Sequence, residues 1–592
     1  MKTKYILSSL FLGFLSMSCA DFLEEIPYNK VTQGNYFTTA EGIKGGINGL
    51  YGSLRDIYNT ENFMNFAESE TDITIWPSSA ARQPVFADNG YVTGMWNTFY
   101  NCINRCNEVI QSLEKNNIPG LSDDLKNRYL GEAKFIRAHI YAHLVKQWED
   151  IPMPLTPTVG IVTKAPKTQE KDVWVQILAD LEFAKNNLPE SYPADTDYGR
   201  ITKYAALHEL ALSLLTCKRD DPASLELAQQ YAEEVIKCPN YELMESTWNL
   251  WDMSYVRNNK EVIFAICYSK DNLLNGSGNQ SHMYFVADYT QHKGLTRSLE
   301  YGRPWIRVKP TRYAYELYLN PELDDEANNK IADRRAKDWF LTDWKINSGK
   351  DYTETLFSPY TKQDEKVTIK NGELAMIACP WYNTIEAAEY AKQFWPVWVW
   401  IPDHMEQFVK ETGGIQSKDN PNGIWPSNVK FCKILFYPYL RKHLDPTRID
   451  ANYAQGSRDV FVYRLADTYL LAAEAAFLRN DKETAAKYIN VVRERAARPE
   501  FKEAIKITAD QVTADFILDE RGRELIGEMK RRNDLKRFGV YTKRMTELHD
   551  KIWYLDPAYE FEEYMEKRPY PRSFLLSIEN PEDFKNAPGY GN

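Results

Sequence analysis

The chain has 592 residues, 26% of them charged and 43% hydrophobic, with a formal net charge of −11. That balance argues against nucleic acid or an anionic lipid surface as partner, since both select basic patches. None of the eight cysteines forms a CxxC pair, so neither a disulfide framework nor a zinc knuckle is indicated.

Residues 1–18 read as a secretory signal peptide. Lys2 and Lys4 give a basic start, Tyr5 to Leu15 an apolar middle, and Ser16 to Ser18 a small-residue exit. Leu15-Ser-Met-Ser-Cys19 is similar to a bacterial lipoprotein signal, with Ser16 standing where that pattern usually has Leu. Cleavage before Cys19 and lipid on its thiol are the expectation; the rival reading is a secreted protein in which Cys19 is incidental. No other apolar run approaches bilayer length, so the body is expected to be soluble and to hang from its acyl chains. Residues 19–36 read as the lipidated N-terminus and a spacer.

Residues 37–240 carry the period of helices. The first starts near Thr38, Thr39 and Glu41 and puts Ile43, Ile47, Leu50, Tyr51 and Leu54 on one stripe. A second fits Met95 to Leu113, with Cys102 and Cys106 as small apolar fillers on its inner face. A third runs from an N-cap at Ser122, backed by Asp123 and Asp124, to Trp148, and the prolines of Ile151 to Pro157 stop it. Further helices at 170–188, 201–218 and 223–238 make repeated pairs that resemble degenerate tetratricopeptide packing.

Residues 241–445 read as a loop-rich, aromatic part. Val262–Tyr268 and Trp395–Pro402 look like strands, 310–320 and 384–394 are helix candidates, and Asn272–Gln280 and Asn347–Thr353 are polar excursions. Trp398 and Trp400 alternate with valines, which suits a sheet face in the core. Residues 446–592 return to helices, at 458–480, 481–498 and 511–538. The fold class read from this pattern is mostly α, with an irregular region of short strands between helical ends.

Several segments together resemble the SusD/RagB family of Bacteroidetes surface lipoproteins. Asp21-Phe-Leu-Glu-Glu-Ile-Pro27, Tyr36-Phe-Thr-Thr39 and Gly49-Leu-Tyr-Gly-Ser-Leu54 are similar to the family's mature N-terminus. Tyr100–Asn107, Glu132–Tyr141 with Trp148–Pro154, and Gly199–Ala206 resemble further family segments. The strongest matches are Tyr463–Ala476, Ile517–Leu525 and Arg532–Gly539; residues 270–430 carry no matching segment. The resemblance implies a SusD-like fold on tetratricopeptide-like helices, docked on a SusC-like TonB-dependent transporter in the outer membrane. It also implies capture of glycans, in some members peptides, without catalysis.

The charged motif residues Glu520, Arg521, Arg523, Glu524, Asp534 and Arg537 read as paired scaffold, as do Arg137, Arg464 and Asp467. His139 and His143 share one helix face, but no Glu follows His139, so packing or hydrogen bonding is the expected role. No cofactor is expected. A structural calcium bound by loop carboxylates needs no contiguous motif, and nothing in the sequence supports one. A glycoside hydrolase would need two carboxylates across a cleft, which no motif here signals.

Sugar rings present apolar C–H faces that aromatic side chains bury, while amides, carboxylates and arginines orient the hydroxyls. In the family such loops follow the first helix and open the second half of the chain. Trp76, with Asp72 and Arg82 beside it, is the N-terminal candidate. Tyr289, Tyr301, Arg303 and Trp305 form the second group, and Trp381, Tyr382 and Trp425 come next.

Overall fold

Helix formation follows the apolar stripes and caps. The structure is a computed structural model that describes residues 36–58, 60–76, 87–193, 196–325, 330–358, 360–380, 390–401, 429–431, 435–548 and 560–590. Cys19, Arg82, Trp381, Tyr382 and Trp425 lie outside these residues, as do the signal peptide and most of 384–394.

Helix α1 (Ala40–Tyr58) buries Ile43, Ile47, Leu50 and Leu54, and α2 (Glu61–Glu68) starts at Thr60, whose hydroxyl accepts from Phe63 N. Helix α3 (Gly90–Lys115) is capped by Asn89 and α4 (Asp123–Trp148) by Ser122. Then come α5 (Glu170–Asn187), α6 (Lys203–Cys217) and α7 (Pro222–Ile236). Successive helices from α3 to α7 pack on one another, and α7 continues the stack onto α8 (Leu465–Leu478). Helix α9 (Lys482–Ala496) and α10 (Ala514–Leu525) also pack on α8. Cys102, Cys106, Trp96 and Trp148 are buried as the stripes require.

Gly49 and Gly52 sit in the middle of α1, where a Cβ at either position would meet nothing within 4 Å. Glycine inside a helix costs chain entropy without return. Gly49→Ala and Gly52→Ala should each raise the free energy of urea unfolding by about 0.5–1 kcal/mol. An unchanged or lowered value would contradict the open surroundings.

The expected helix at 458–480 begins instead as a strand. Val460–Arg464 pairs antiparallel with Val262–Ile266, and all five of its residues are buried. Both faces of Val-Phe-Val-Tyr are covered, so the run lacks the alternation that betrays a strand. The expected helix at 511–538 is also two helices, α10 and α11 (Arg531–Arg537). Gly527 at φ 77° and Met529 at φ 61° turn the chain between them, a left-handed excursion no helix accommodates.

The middle of the chain holds more strand than its two apolar runs suggest. Here β1 (Thr74–Ile75) is followed by β2 (Val262–Ile266), β3 (Lys309–Pro310), β4 (Asp343–Lys345), β5 (Tyr352–Ser358) and β6 (Gln363–Ile369). Beyond them lie β7 (Leu374–Ala378), β8 (Trp398–Ile401) and β9 (Val429–Phe431). The largest sheet runs β9-β8-β7-β4, β5 and β6 form a separate hairpin, and β1 pairs with β3. Trp400 is fully buried and donates Nε1–H to Phe436 O at 3.1 Å, whereas Trp398 is half-buried.

The C-terminal motif residues hold this assembly together by buried charge. Arg335 reaches Asp333 at 2.6 Å, Glu520 at 2.8 Å and Glu524 at 2.7 Å. Arg464 joins Glu261 at 2.8 Å, Glu524 at 2.5 Å and Glu528 at 2.7 Å. Arg521 bridges Asp467 and Asp534, Arg537 binds Glu474, and Arg137 grips Asp180. The scaffold role expected of these side chains is what the geometry displays.

Glu68, at the end of α2, differs from them in having no cationic partner within ion-pair distance among the described residues. It accepts from Met529 N and, at 3.0 Å, from Thr74 Oγ1. Burial pushes its carboxyl from 4.5 up to about 7. The folded chain therefore favours protonated Glu68, a stabilisation complete below pH 4.5 and lost as pH rises to about 7. Glu68→Gln should accordingly gain melting temperature over wild type as pH is raised from 5 to 8; a difference independent of pH would refute this.

Candidate functional site

The β1–β3 ribbon organises one end of the molecule. Thr74 pairs with Pro310 and Ile75 with Lys309, so the residue after β1 and the residues before β3 meet at the same ribbon end. Trp76 therefore leaves the ribbon where the segment 305–308 enters it. Thr311 fastens the ribbon through N–H to Ile73 O at 2.9 Å and Oγ1–H to Asp72 O at 2.7 Å.

Helix α2 lies alongside and links both tryptophans. Trp76 donates its backbone N–H to Ser69 O, just past the helix C-terminus, at 3.2 Å. Trp305 donates Nε1–H to Glu61 Oε2, at the helix N-terminus, at 3.0 Å. Eight residues of helix separate these anchors by about 12 Å. Trp76 and Trp305 are thus tied to opposite ends of one short helix.

Trp305 is 39% exposed. Its position is set by a backbone lattice in which Arg307 N and Val308 N donate to Tyr284 O at 2.7 and 2.9 Å. Ile306, between Trp305 and Arg307, has φ 55°, a region a β-branched residue enters only at a cost of about 1–3 kcal/mol. Trp305 and Arg307, on either side of that turn, converge on the Glu61 carboxylate. Arg307 Nε donates to Glu61 Oε1 at 2.6 Å. The guanidinium carbons of Arg303 and Arg307 lie 5.4 and 5.1 Å from the indole centroid, within cation–π range. An exposed, hydrogen-bonded indole flanked by two guanidiniums is the result.

Trp76 is half-buried, its ring 6.4 Å from that of Tyr91. The other expected contact residues lie deeper. Asp72 is 0% exposed, and Arg531 clamps its carboxylate from Nε at 2.7 Å and Nη2 at 2.6 Å. Tyr289 is 0% exposed; its hydroxyl donates to Gly302 O at 2.8 Å and accepts from Ser298 N at 3.0 Å. Tyr301 is 3% exposed and accepts from Lys345 N at 2.8 Å. These three brace the ribbon and the 298–302 turn from within and offer a solvent-borne ligand no face.

Sequence reasoning missed Glu61 and Arg307. Arg307 stands two residues beyond Trp305 and could have been read from proximity, but Glu61 is 244 positions away and carries no local signal.

Elsewhere, His139 and His143 meet at the Tyr58 hydroxyl, at 2.7 and 3.1 Å from their Nε2 atoms. His139 Nδ1 lies 3.1 Å from Glu209 and 2.9 Å from the Tyr463 hydroxyl. Burial holds His143 well below the usual imidazole range. The cavity beside them, about 30 Å³, has room for roughly one water and none for a sugar. Among the described residues no three His, Cys, Asp or Glu side chains are grouped to hold a metal, and no helix is long and apolar enough to cross a membrane.

Comparison with known proteins places the chain in context. Residues 260–585 match the model of the SusD family, and residues 21–214 match one described as starch-binding, associating with the outer membrane. A SusD-like protein, P25, from Formosa agariphila is 24% identical, with 96% of each chain covered. The surface glycan-binding protein A of Bacteroides thetaiotaomicron, solved with laminarihexaose, superposes with a TM-score of 0.59 at 18% identity. That match covers 92% of this chain and 98% of the other. A SusD-like carbohydrate-binding protein from Bacteroides fragilis gives a TM-score of 0.62 at 18% identity, covering 92% and 99%.

Proposed function

The chain belongs to the SusD family, and on that premise we propose that it captures glycan chains at the cell surface for a SusC-like TonB-dependent transporter. The observation that carries the reading is the Trp305 platform, an aromatic face held at the surface by Glu61 and flanked by arginines. Such a face buries the C–H surface of a sugar ring, and the guanidinium N–H groups of Arg303 and Arg307 can donate to its hydroxyls. Trp76, at the far end of α2, offers a second aromatic contact to a longer chain.

In this reading Cys19 carries the lipid that tethers the body to the outer membrane, and residues after it act as a leash. The chain binds its cargo and does no chemistry on it. Affinity electrophoresis and isothermal titration against a polysaccharide panel test the proposal, with a mixed peptide pool as the competing cargo. Retardation by at least one glycan is the expected result. Binding of peptides alone, or release of new reducing ends from a bound glycan, would overturn it.

A further inference from the structure

The scaffold arginines Arg335 and Arg464 meet three carboxylates each, whereas the half-buried Arg303, like the buried Arg448 and Arg458, is not held by one. At the platform, Arg307 is neutralised by Glu61. Arg303 has no carboxylate within ion-pair distance among the described residues. Its Nη1 donates to Met283 Sδ at 3.4 Å, a weak acceptor, and its Nε is buried with no partner. The exposed indole is therefore flanked by two positive charges and one negative, a surplus of one cation.

The surroundings deepen that surplus. Arg448, whose charge interacts with that of Arg303, donates to backbone carbonyls at 3.0 Å to Asp445 O and 2.8 Å to Tyr453 O, with Nη2 unpartnered. The buried His282 beside them is pushed down to about 3, by burial first, then by Arg448, with Arg303 adding to the effect and Asp445 opposing it. The chain as a whole is acidic, at −11. Distant charges are screened beyond about 10 Å at 0.1 M salt, so the charge a bound sugar feels is this local one.

We propose that the Trp305 platform selects anionic glycans, with the sugar ring on the indole and its carboxylate or sulfate on Arg303. This rests on the glycan-binding reading of the same platform. With Nε sealed inside and Nη1 on Met283, Arg303 has Nη2 left to meet an anion, and a charge-assisted bond there is worth more than a hydroxyl contact. A neutral glycan would leave the Arg303 charge facing the ligand without a counter-charge.

The test uses two matched pairs of polymers, polygalacturonate against its carboxyl-reduced form and carrageenan against its desulfated form, titrated into the full chain at low and high salt. The expected result is at least about tenfold preference for the anionic member of one pair, declining with salt. Which pair responds tells carboxylate from sulfate. Arg303→Met should collapse that preference to within about threefold at an unchanged melting temperature, and Arg303→Lys should retain most of it. Equal or stronger binding of the neutral polymers by wild type would overturn the proposal, as would a preference that survives in Arg303→Met. Binding of no glycan at all would overturn the site reading itself, and this inference with it.

Discussion

Glu524→Gln should destabilise the folded chain by about 3–5 kcal/mol, the cost of removing one partner from a buried ion pair. Glu524 is fully buried and receives Arg335 at 2.7 Å, Arg464 at 2.5 Å and also Arg495. Glu520 is the counterpart, joining Arg335, Arg493 and Arg523, and loss of the Glu524 charge strips a partner from three arginines at once. Burial alone would raise the Glu524 carboxyl, but Arg495, Arg464 and Arg335 outweigh it and hold the group down at about 2. Glu474, under Arg537 and Arg219, is likewise held at about 2. Depressed values in the folded state mean stability that is complete above the unfolded value of about 4.5 and is lost as pH falls towards 2. Urea unfolding at neutral pH measures the Gln variant, and an acid titration of wild type measures the window. A variant within 1 kcal/mol of wild type, or a wild type indifferent to acid down to about pH 2, would contradict the network's role.

Trp305→Ala should weaken glycan binding by about 2 kcal/mol or more, roughly 30-fold in Kd, as expected for an aromatic anchor at the centre of a contact. The substitution removes a side chain that is already 39% exposed, so the melting temperature should stay near that of wild type. Glu61 keeps Arg307 in the variant, which separates loss of the ring from loss of the lattice behind it. Trp305→Phe, which keeps an aromatic face but drops the bond to Glu61, should fall between the two. Full affinity in Trp305→Ala would exclude the platform as the binding face.

Much of the scaffold was legible because its signals are local. Ser122 with Asp123 and Asp124 marks a helix start in three consecutive residues, and the stripe of α1 repeats within every turn. The charges of 517–537 were readable as pairs since opposite signs recur at helical spacing, although which Arg meets which Glu depends on strands 200 residues away. The strand at Val460–Arg464 escaped for that reason: its partner is Val262–Ile266, and both of its faces are covered. The turn at Gly527 and Met529 escaped because periodicity on either side of it continues as if the helix did.

The site was half legible. An aromatic in a polar loop is a fair sign of either a contact or a brace, and sequence does not tell which way the ring points. Tyr289, Tyr301 and Trp305 share one stretch of chain, yet two face inward to hold the turn and one faces out. The divider is the left-handed Ile306 and the pull of Glu61, neither of which leaves a local mark. Asp72 looked like a ligand partner beside Trp76, but its charge is wholly taken by Arg531.

The most direct measurement is a crystal structure of the chain with an oligosaccharide taken from whichever polysaccharide binds in titration. The expected result is a sugar ring packed on the Trp305 indole, its polar groups on Arg303 and Arg307, and the chain running along α2 towards Trp76. A ligand seated elsewhere, with Trp305 left in solvent, would contradict it.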